Sequence, residues 1–349
     1  MTADPICDLV LLTWNRADLL KPCVERVLRH TRVPSRLLIV DNASTDADAV
    51  AYLEELGRSP GTERVEVTVI RRLRNDGFAI GMNDGIGRTT APWICLLNND
   101  ILVTEGWLEE LLHVAQANPQ IGLLNPMSNE FNIGPMDPAG PVDEVGAEGR
   151  RHHGRWIEHY MGVGFCVLFP RQVVGRVGVL DVDFEFLYAE DRDYSMRVQR
   201  AGWICAIAEG AYVFHHRQST MKRNPALSAR LRENQERFFR KWNKEWDKRI
   251  AYVVSPRAAI APTADRIRQM ANEGHSLWAF YVRKAQAAVP RHFIVRPQPS
   301  PSIGFSAYVL WRILTKKKRF DRIIVTSRRL AAVLRALRFL HRADVIVAA

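Results

Sequence analysis

The sequence contains few cysteines, and they show no pairing pattern. None of the five cysteines forms a Cys-x-x-Cys pair, and most lie among apolar residues. Such cysteines are typical of buried free thiols in a reducing compartment, which excludes a small secreted domain held together by disulfides. The first residues, MTADP, also lack the basic and apolar stretch of a secretory signal. We therefore expect a cytoplasmic protein.

Long apolar runs are missing as well. None reaches the ~18 residues that a membrane-spanning helix needs. The longest apolar run, Ile303–Leu314, is interrupted by Arg312.

Acidic residues are scarce in one region. Residues 251–349 hold four Asp and Glu against 18 Lys and Arg, which gives a net charge of +14, whereas residues 1–250 have a net charge of −3. A basic surface facing an anionic partner would explain this, and a solvated Arg-rich helical face is the alternative.

Strand and helix patterns alternate along the first 248 residues. Apolar runs predict strands at 6–13, 36–40, 65–71 and 93–97. Amphipathic patterns predict helices at 17–30, 47–57 and 106–117. Alternation of this kind indicates a doubly wound α/β sheet that helices cover on both faces. The pattern is lost from 126 to 156, and a loop of that length usually has a function.

The alternation starts again near residue 249. Two or three βα units over 249–349 predict a small second α/β domain, with neither a glycine-rich phosphate loop nor an acidic cluster. Residues 297–301 (PQPSP) are predicted to form a loop. Helices are predicted at 304–319 and 328–341. The domain boundaries that we expect are therefore 1–248 and 249–349.

Polar side chains follow four of the predicted strands at the point where each strand ends. These clusters are Asp41-Asn42, Asn98-Asn99-Asp100, Glu190-Asp191 and His215-His216. Because parallel strand ends in an α/β sheet converge on one crevice, we expect the four clusters to lie together. Carboxylates there can bind Mg²⁺ or Mn²⁺ together with phosphate oxygens. For any single cluster, a simple polar turn is the alternative explanation.

Seven segments resemble the inverting glycosyltransferases of family 2, which have the GT-A fold. They are VLLTWNRADLLKPCVERVL, LIVDNASTD, RNDGFAIGMNDGI, WICLLNNDILVTEGWLEELL, GVGFCVLFPRQVVGRVGVLD, YAEDRDYSMRVQRAGW and VFHHRQST. They occur in the family's order over about residues 6–220, and the rhamnosyltransferase-like branch resembles them best. The resemblance implies a doubly wound mixed sheet and metal-dependent transfer of a sugar, with inversion, from a nucleotide-diphosphate donor to an acceptor hydroxyl.

The resemblance also implies a site for Mn²⁺ or Mg²⁺. Asp100 matches the last carboxylate of the family's DXD motif. Asn98 replaces the first Asp and is a weaker metal ligand, although it can hydrogen-bond ribose. His215 matches the histidine that completes metal binding in the family. His216 remains the second choice, because the turn after it lacks the usual glycines.

The pair Glu190-Asp191 matches the family's catalytic base motif, and Asp191 is the residue carried over. Inversion requires a single displacement, in which a carboxylate takes the proton of the attacking hydroxyl. The predicted helix N-terminus at this point should keep the carboxylate ionised through the helix dipole. An ordinary acidic first helical turn is the alternative. Asp193 is expected to cap the helix or to pair with Arg197.

The resemblance assigns ten residues to the nucleotide-sugar donor, and the irregular segment 126–156 to the acceptor. The donor residues are Thr13, Asn15, Arg16, Asp41, Asn42, Asp76, Gly77, Asn83, Asn98 and Asn99. Of these, Asp41 corresponds to the residue that reads the nucleobase, whereas Gly77 and Asn83 could serve the backbone. The acceptor residues, carried over more loosely, are Trp156, His159 and Tyr160.

Partners and alternative functions follow from the rest of the chain. The acceptor could be a glycan, a lipid-linked glycan or a protein. The second domain faintly resembles the N-terminal half of GT-B glycosyltransferases. Its helix at 304–319 could dock on an anionic membrane face or an acidic partner, or could be a plain structural helix, and nucleic acid is not expected. The alternative functions are a sugar nucleotidyltransferase, which needs a glycine-rich basic loop, and a non-catalytic protein that binds sugar nucleotides or acts as a scaffold.

Overall fold

The chain divides into two compact units. The computed structural model describes residues 4–59, 61–129, 140–184, 189–216, 225–243, 248–255 and 258–348. The first unit comprises Met1–Ile157 and Met161–Trp242, and the second comprises Glu158–Tyr160 and Asn243–Ala349. Each unit contains its own sheet and its own buried apolar residues.

The first sheet is built from strands that alternate with helices. Its strands are β1 (Cys7–Thr13), β2 (Ser35–Asp41), β3 (Val65–Arg71), β4 (Trp93–Asn98), β5 (Ile101–Val103), β6 (Ile121–Met127), β7 (Trp156–His159), β8 (Cys166–Pro170) and β9 (Ile204–His215). The helices are α1 (Ala17–His30), α2 (Ala47–Arg58), α3 (Phe78–Ile86), α4 (Trp107–Ala117), α5 (Val142–Gly149), α6 (Arg171–Val177), α7 (Glu190–Arg200) and α8 (Pro225–Trp242), with a 3₁₀ turn at Arg150–His152.

The strand order is β3-β2-β1-β4-β8-β6-β9-β5, and β7 pairs with β9. Strands β1 to β4 are mutually parallel, whereas β8 runs antiparallel to β4 and β5 antiparallel to β9. The predicted doubly wound mixed α/β sheet is therefore confirmed. The helices pack as their apolar spacing predicts: Leu20, Val24 and Val27 of α1 are fully buried. All five cysteines are buried, and none of them forms a disulfide, as expected.

The second unit contains a five-stranded, fully parallel sheet. Its strands are β10 (Arg249–Val253), β11 (Ser276–Val282), β12 (Val295–Ser300), β13 (Arg322–Val325) and β14 (Asp344–Val347). Its helices are α9 (Ile260–Asn272), α10 (Phe305–Leu314), α11 (Arg328–Ala336) and α12 (Arg338–His341), with a 3₁₀ segment at Arg283–Ala288. The order β12-β11-β10-β13-β14 places the first strand in the middle.

The structure corrects two local predictions in the second unit. The proline-rich segment at 297–301 was expected to be a loop, but β12 continues through it to Ser300. Strand β12 lies at the sheet edge and pairs only with β11. In a strand, residues two apart direct their backbone N–H groups to the same side. Proline has no N–H, and the positions of Pro297 and Pro299 can both face the open edge, where no hydrogen bond to a neighbouring strand is lost. The predicted helices at 304–319 and 328–341 are shorter, since α10 ends at Leu314 and residue 337 separates α11 from α12.

Helix α10 is amphipathic. It buries Val309 and Ile313 in the core of the second unit and leaves Trp311 and Leu314 exposed. Within the described residues, no helix combines the length and the hydrophobicity that crossing a bilayer requires.

Candidate active site

Three strand ends of the first unit lie side by side. Thr13, the last residue of β1, is paired with Asp41 of β2, and Leu12 is paired with Asn98 of β4. The side chain of Asn99 then donates from Nδ2 to Thr13 Oγ1 at 3.0 Å. The predicted convergence of polar residues at the carboxyl ends of parallel strands is therefore present at this edge of the sheet.

The loops at these strand ends have unusual backbone conformations. Asn15, Arg16, Ala43 and Ala189 all have positive φ values, between 56° and 79°, although none is a glycine. Such conformations cost about 1–3 kcal/mol each and are found mainly where a site needs them. The side chain of Asn15 contributes to this geometry, since its Oδ1 accepts the backbone N–H groups of residues 45 and 46 at 2.8 and 2.9 Å. No sequence pattern predicts these conformations.

Asp41 is fully buried and oriented by two donors. Its Oδ1 accepts the backbone N–H of Ser44 at 2.9 Å, and its Oδ2 accepts Arg71 Nε at 3.1 Å. The sequence reasoning missed Arg71, although it ends β3 beside Asp41 and the strand-end rule applies to it equally.

A second missed arginine, Arg72, organises the segment that follows β3. Its guanidinium donates to Asn42 Oδ1 at 2.5 Å, to Asp76 Oδ2 at 2.9 Å and to Asp84 Oδ2 at 2.6 Å. Asn42 in turn donates to the carbonyl oxygen of Gly77 at 3.1 Å. Three residues assigned above to the nucleotide-sugar donor thus belong to one hydrogen-bond network centred on the Arg72 guanidinium: Asn42, Asp76 and Gly77.

Gly77 and Asn83 have clear backbone roles. Gly77 precedes α3 with a φ of 93°, which an L side chain rarely adopts. Asn83 binds the backbone of Leu180 at both ends, donating from Nδ2 to its oxygen at 2.8 Å and accepting its N–H on Oδ1 at 3.0 Å. This amide fixes the chain shortly before α7 and has both of its polar ends engaged.

Asp100 and His215 face one another. Asp100 Oδ1 lies 3.1 Å from His215 Nε2, and both side chains are 14% exposed. The antiparallel pairing of β5 with β9 sets Ile101 opposite His215 and so brings the two side chains together. The ring of Phe165 stacks on that of His215, with 5.1 Å between the ring centroids. The ring of His216 instead packs edge-on against Phe214.

This pair fits a small divalent cation. Two adjacent ligands of an octahedral ion, each about 2.1 Å from it, lie roughly 3 Å apart, and the Asp100–His215 separation matches that spacing. Among the described residues, no cluster of three or more His, Cys, Asp or Glu side chains is arranged to hold a metal. A cation held by Asp100 and His215 would therefore need further oxygen ligands from a substrate.

Glu190 and Asp191 begin helix α7, directly after the left-handed Ala189. Burial raises the pKa of Asp191, although the N–H groups of Arg192 and Gly164 oppose the rise. Burial and the neighbouring Asp191 raise the pKa of Glu190 to about 8. Loss of hydration therefore opposes the helix dipole, which the sequence analysis expects to keep this carboxylate ionised.

Two adjacent residues, at 164 and 165, contact Asp191 and His215, respectively. The carbonyl oxygen of Phe165 accepts the N–H of Asn98 at 2.9 Å, and the Phe165 ring stacks on His215. The preceding N–H, that of Gly164, stabilises the ionised form of Asp191. Asp191 and His215 therefore each contact one of two adjacent residues.

The remaining predicted residues have other surroundings. Asp193 is fully buried and accepts Arg197 Nε at 2.9 Å, which confirms the expected pair, and it also accepts Trp242 Nε1 at 2.9 Å. Of the acceptor candidates, Trp156 is half-buried in the first unit. His159 belongs to the second unit, where it is fully buried with its ring against those of Tyr160 and Phe293.

The first unit has the mixed α/β sheet of the GT-A fold, with carboxylate, amide and imidazole groups at its strand ends. The model of the glycosyl transferase family 2 matches residues 8–178. The chain thus carries a family 2 glycosyltransferase domain, and it is a glycosyltransferase.

Among the proteins similar to this chain are two relatives and one solved structure. The relatives are the N-acetylglucosaminyl-diphospho-decaprenol L-rhamnosyltransferases of Mycobacterium tuberculosis strains CDC 1551 / Oshkosh and ATCC 25618 / H37Rv. Each is 24% identical over 257 residues, which cover 63% of this chain and 79% of the relative. The mannosyltransferase PcManGT from Pyrobaculum calidifontis, solved with GDP-Man and Mn²⁺, is 16% identical with a TM-score of 0.53. That likeness is one of fold and covers 97% of this chain and 81% of PcManGT.

Proposed function

We propose that this glycosyltransferase moves a sugar, with inversion and with the help of a divalent cation, from a nucleotide-diphosphate donor to an acceptor hydroxyl. The observation that carries the proposal is the arrangement around residues 164–165, where Gly164 contacts Asp191 and Phe165 contacts His215 of the Asp100–His215 pair. One group suits proton abstraction and the other suits a diphosphate leaving group. A single displacement needs both at one crevice.

Asp100 and His215 are the residues that would hold Mn²⁺ or Mg²⁺. Such a cation, when bound, neutralises the charge that develops on the departing diphosphate. Asn98 and Asn99 contribute neutral amides beside them, and Asn99 is already oriented by Thr13. Neutral amides at these positions suit the hydroxyls of a ribose, so the donor should be held by hydrogen bonds as well as by charge.

Asp191 is the base that we assign to the acceptor hydroxyl. Its raised pKa increases its affinity for a proton compared with an ordinary surface carboxylate. Glu190 has the higher tendency to remain protonated at neutral pH, so the two neighbouring carboxyls together carry about one negative charge. We infer that this charge lies on Asp191, where it can accept the hydroxyl proton as the new glycosidic bond forms.

The donor sugar that we propose is L-rhamnose. Support comes from the two mycobacterial relatives, whose names describe L-rhamnosyl transfer. Asp41, which the resemblance assigns to the nucleobase, is held by Arg71 and Ser44 at the strand ends where the nucleotide would bind. The network around Arg72, whose guanidinium is paired with Asp76 and Asp84, lies next to it and fixes the loop that follows β3.

A thermal-shift panel tests this donor assignment. The full chain with Mn²⁺ would be heated with nucleotide sugars that differ in sugar and in base. A ligand at about 100 times its Kd stabilises by about 2.7 kcal/mol, which raises the Tm by roughly 5–10 °C for a domain of this size. We expect the largest shift with a rhamnose donor and its loss in EDTA. A panel without any shift would contradict the proposal and favour a scaffold.

We also propose a lipid-linked acceptor that the protein meets at an anionic membrane face. Helices α10 and α12 are in contact, and both expose large apolar side chains, including Trp311 and Phe339. Exposed lysines at 317 and 318 follow α10 directly. Apolar side chains beside lysines are the combination that binds anionic lipid surfaces.

Vesicle sedimentation tests the membrane proposal. We expect the full chain to bind vesicles containing about one-third anionic lipid at least tenfold more strongly than neutral ones. Lys317→Glu should weaken binding about fivefold or more, since each lysine contributes ~1 kcal/mol and charge reversal adds repulsion, whereas Lys21→Glu in the first unit should not. Phe339→Ser should also weaken it, with the exposed Leu73 changed to Ser as its control. Equal binding by Lys317→Glu and by Lys21→Glu would contradict the assignment of this surface.

A further inference from the structure

The second unit has a crevice at the centre of its parallel sheet. In the order β12-β11-β10-β13-β14, the chain builds outward from β10 in one direction and from β13 in the other. The two halves of such a sheet separate at the carboxyl ends of its two central strands, and this is where open α/β sheets bind ligands. A cavity of about 590 Å³ is lined by residues that follow β10, β13 and β14. That volume is within the range of small-molecule sites.

The polar lining of this cavity suits an anion. The N-terminal residues of the 13-residue helix α9 and the cap of the nine-residue helix α11 both contribute to it. Backbone N–H groups at helix N-termini attract negative charge. Arg266 and the hydroxyls of Ser255, Thr326 and Ser327 also line it, and none of the described lining residues is acidic.

One buried donor in the lining has no acceptor. Tyr252 lines the cavity and is 1% exposed; its oxygen lies beside the Arg266 guanidinium, which can only donate, and its O–H meets no hydrogen-bond acceptor among the described residues. Burial raises the pKa of this phenol, and Arg266 lies near enough to oppose the rise. The phenol is therefore a neutral O–H donor at neutral pH. Buried polar groups without a partner cost about 1–3 kcal/mol, so a ligand oxygen at this point would remove that cost.

The crevice is preformed by bonds between its two central strands. Thr326 Oγ1, directly after β13, accepts the N–H of Ser255, which follows β10, at 2.9 Å. The N–H of Ala348 donates to Val325 at 2.8 Å and fixes the end of β14 beside them. Ser327 Oγ caps α11 by accepting the N–H of Leu330. A ligand would meet a fixed set of donors and would not have to order them.

We propose that this crevice is a second binding site, separate from the sugar-transfer site, for a small phosphorylated molecule whose phosphoryl oxygens contact the N-terminal turns of α9 and α11, the Arg266 guanidinium and the Tyr252 hydroxyl. A phosphoryl group carries up to two negative charges and three acceptor oxygens. It can therefore engage two helix N-termini, a guanidinium and a phenol together. The net charge of +14 over residues 251–349 attracts anionic ligands over a longer range.

Hydrogen–deuterium exchange of the full chain tests the proposal and locates the site. The probes are inorganic pyrophosphate, UMP and glycerol 3-phosphate, each in EDTA so that cation-dependent donor binding does not contribute. We expect at least one probe to bind saturably and to slow exchange at residues 258–266 and 326–333. Arg266→Gln should weaken this binding at least tenfold, because it removes a charge-assisted bond. Arg338→Gln is the matched control and should stay within about twofold, since Arg338 pairs with Asp344 at the opposite end of β14.

A second variant distinguishes a loss of binding from a purely structural effect of Arg266→Gln. Ala259→Glu adds a carboxylate at the exposed N-cap of α9 and should abolish binding by repulsion, whereas Ala336→Glu on the exposed face of α11 should not. If none of the three probes slows exchange in these segments at about 10 mM, there is no such site. Equal affinity in Arg266→Gln and in the unaltered chain would also overturn the proposal. Both results would leave the proposed sugar transfer untouched, because no transfer is measured.

Discussion

Replacing Asp191 by asparagine should lower kcat by about a thousandfold while leaving the Kd of the donor within about twofold. General-base catalysis by a positioned carboxylate contributes typically 10²–10⁴-fold, and the amide has the same shape but a negligible affinity for a proton. Asparagine also keeps the oxygen that accepts the N–H of Arg192. Turnover with a saturating donor, combined with calorimetric donor binding, separates the two effects.

Asp183→Asn is the matched control for this experiment. Asp183 is an exposed carboxylate in the turn before α7, so its substitution should change kcat by less than about twofold. Near-normal turnover in the Asp191 variant would show that another group takes the proton. A loss of donor affinity as large as the loss of kcat would show that Asp191 binds the donor.

The same assignment predicts how transfer depends on pH. Only the ionised form of Asp191 accepts a proton, and burial raises its pKa. kcat should therefore fall as the pH is lowered through a pKa that lies above the ordinary value of an aspartate, and it should be restored as the pH rises again. This acidic limb should be missing from the residual activity of Asp191→Asn.

Removing either member of the Asp100–His215 pair should abolish cation-dependent donor binding. We expect Asp100→Asn and His215→Gln each to weaken the Mn²⁺-dependent affinity for the donor by about 100-fold or more, since each removes one of two protein ligands in a site that depends on the donor for the rest. Donor titrations with and without Mn²⁺ measure this effect directly, and binding in EDTA should change little.

His216→Gln provides the control for His215→Gln. The two residues are neighbours of the same type, but the ring of His216 packs on Phe214 and that of His215 faces Asp100. We expect His216→Gln to bind the donor within about twofold of the unaltered chain. A larger loss in His216→Gln than in His215→Gln would reverse the assignment of the ligand, and equal Mn²⁺ dependence in all variants would remove the metal from this position.

Local sequence predicted the first sheet well because its signals are local. Strands β1 to β4 follow apolar runs, and polar residues occur where these runs end. The same rule applied to β3 would have revealed Arg71 and Arg72, which both bind predicted site residues. The prediction failed at β12, where prolines normally indicate a loop. Their position at a sheet edge makes a strand possible, and a strand's place in a sheet depends on distant residues.

The family resemblance, the order of the strand-end clusters and the residue types in them follow from the amino-acid sequence alone. The tertiary structure decided which of these residues meet. Adjacent residues on a strand point to opposite faces, so only the register between β5 and β9 selects His215 over His216 as the neighbour of Asp100. Burial is likewise the sum of many distant contacts, and it raises the pKa of Asp191 where its local helix position predicts the opposite. The crevice between β10 and β13 could not be found from sequence, because it exists only through the order in which the strands pair.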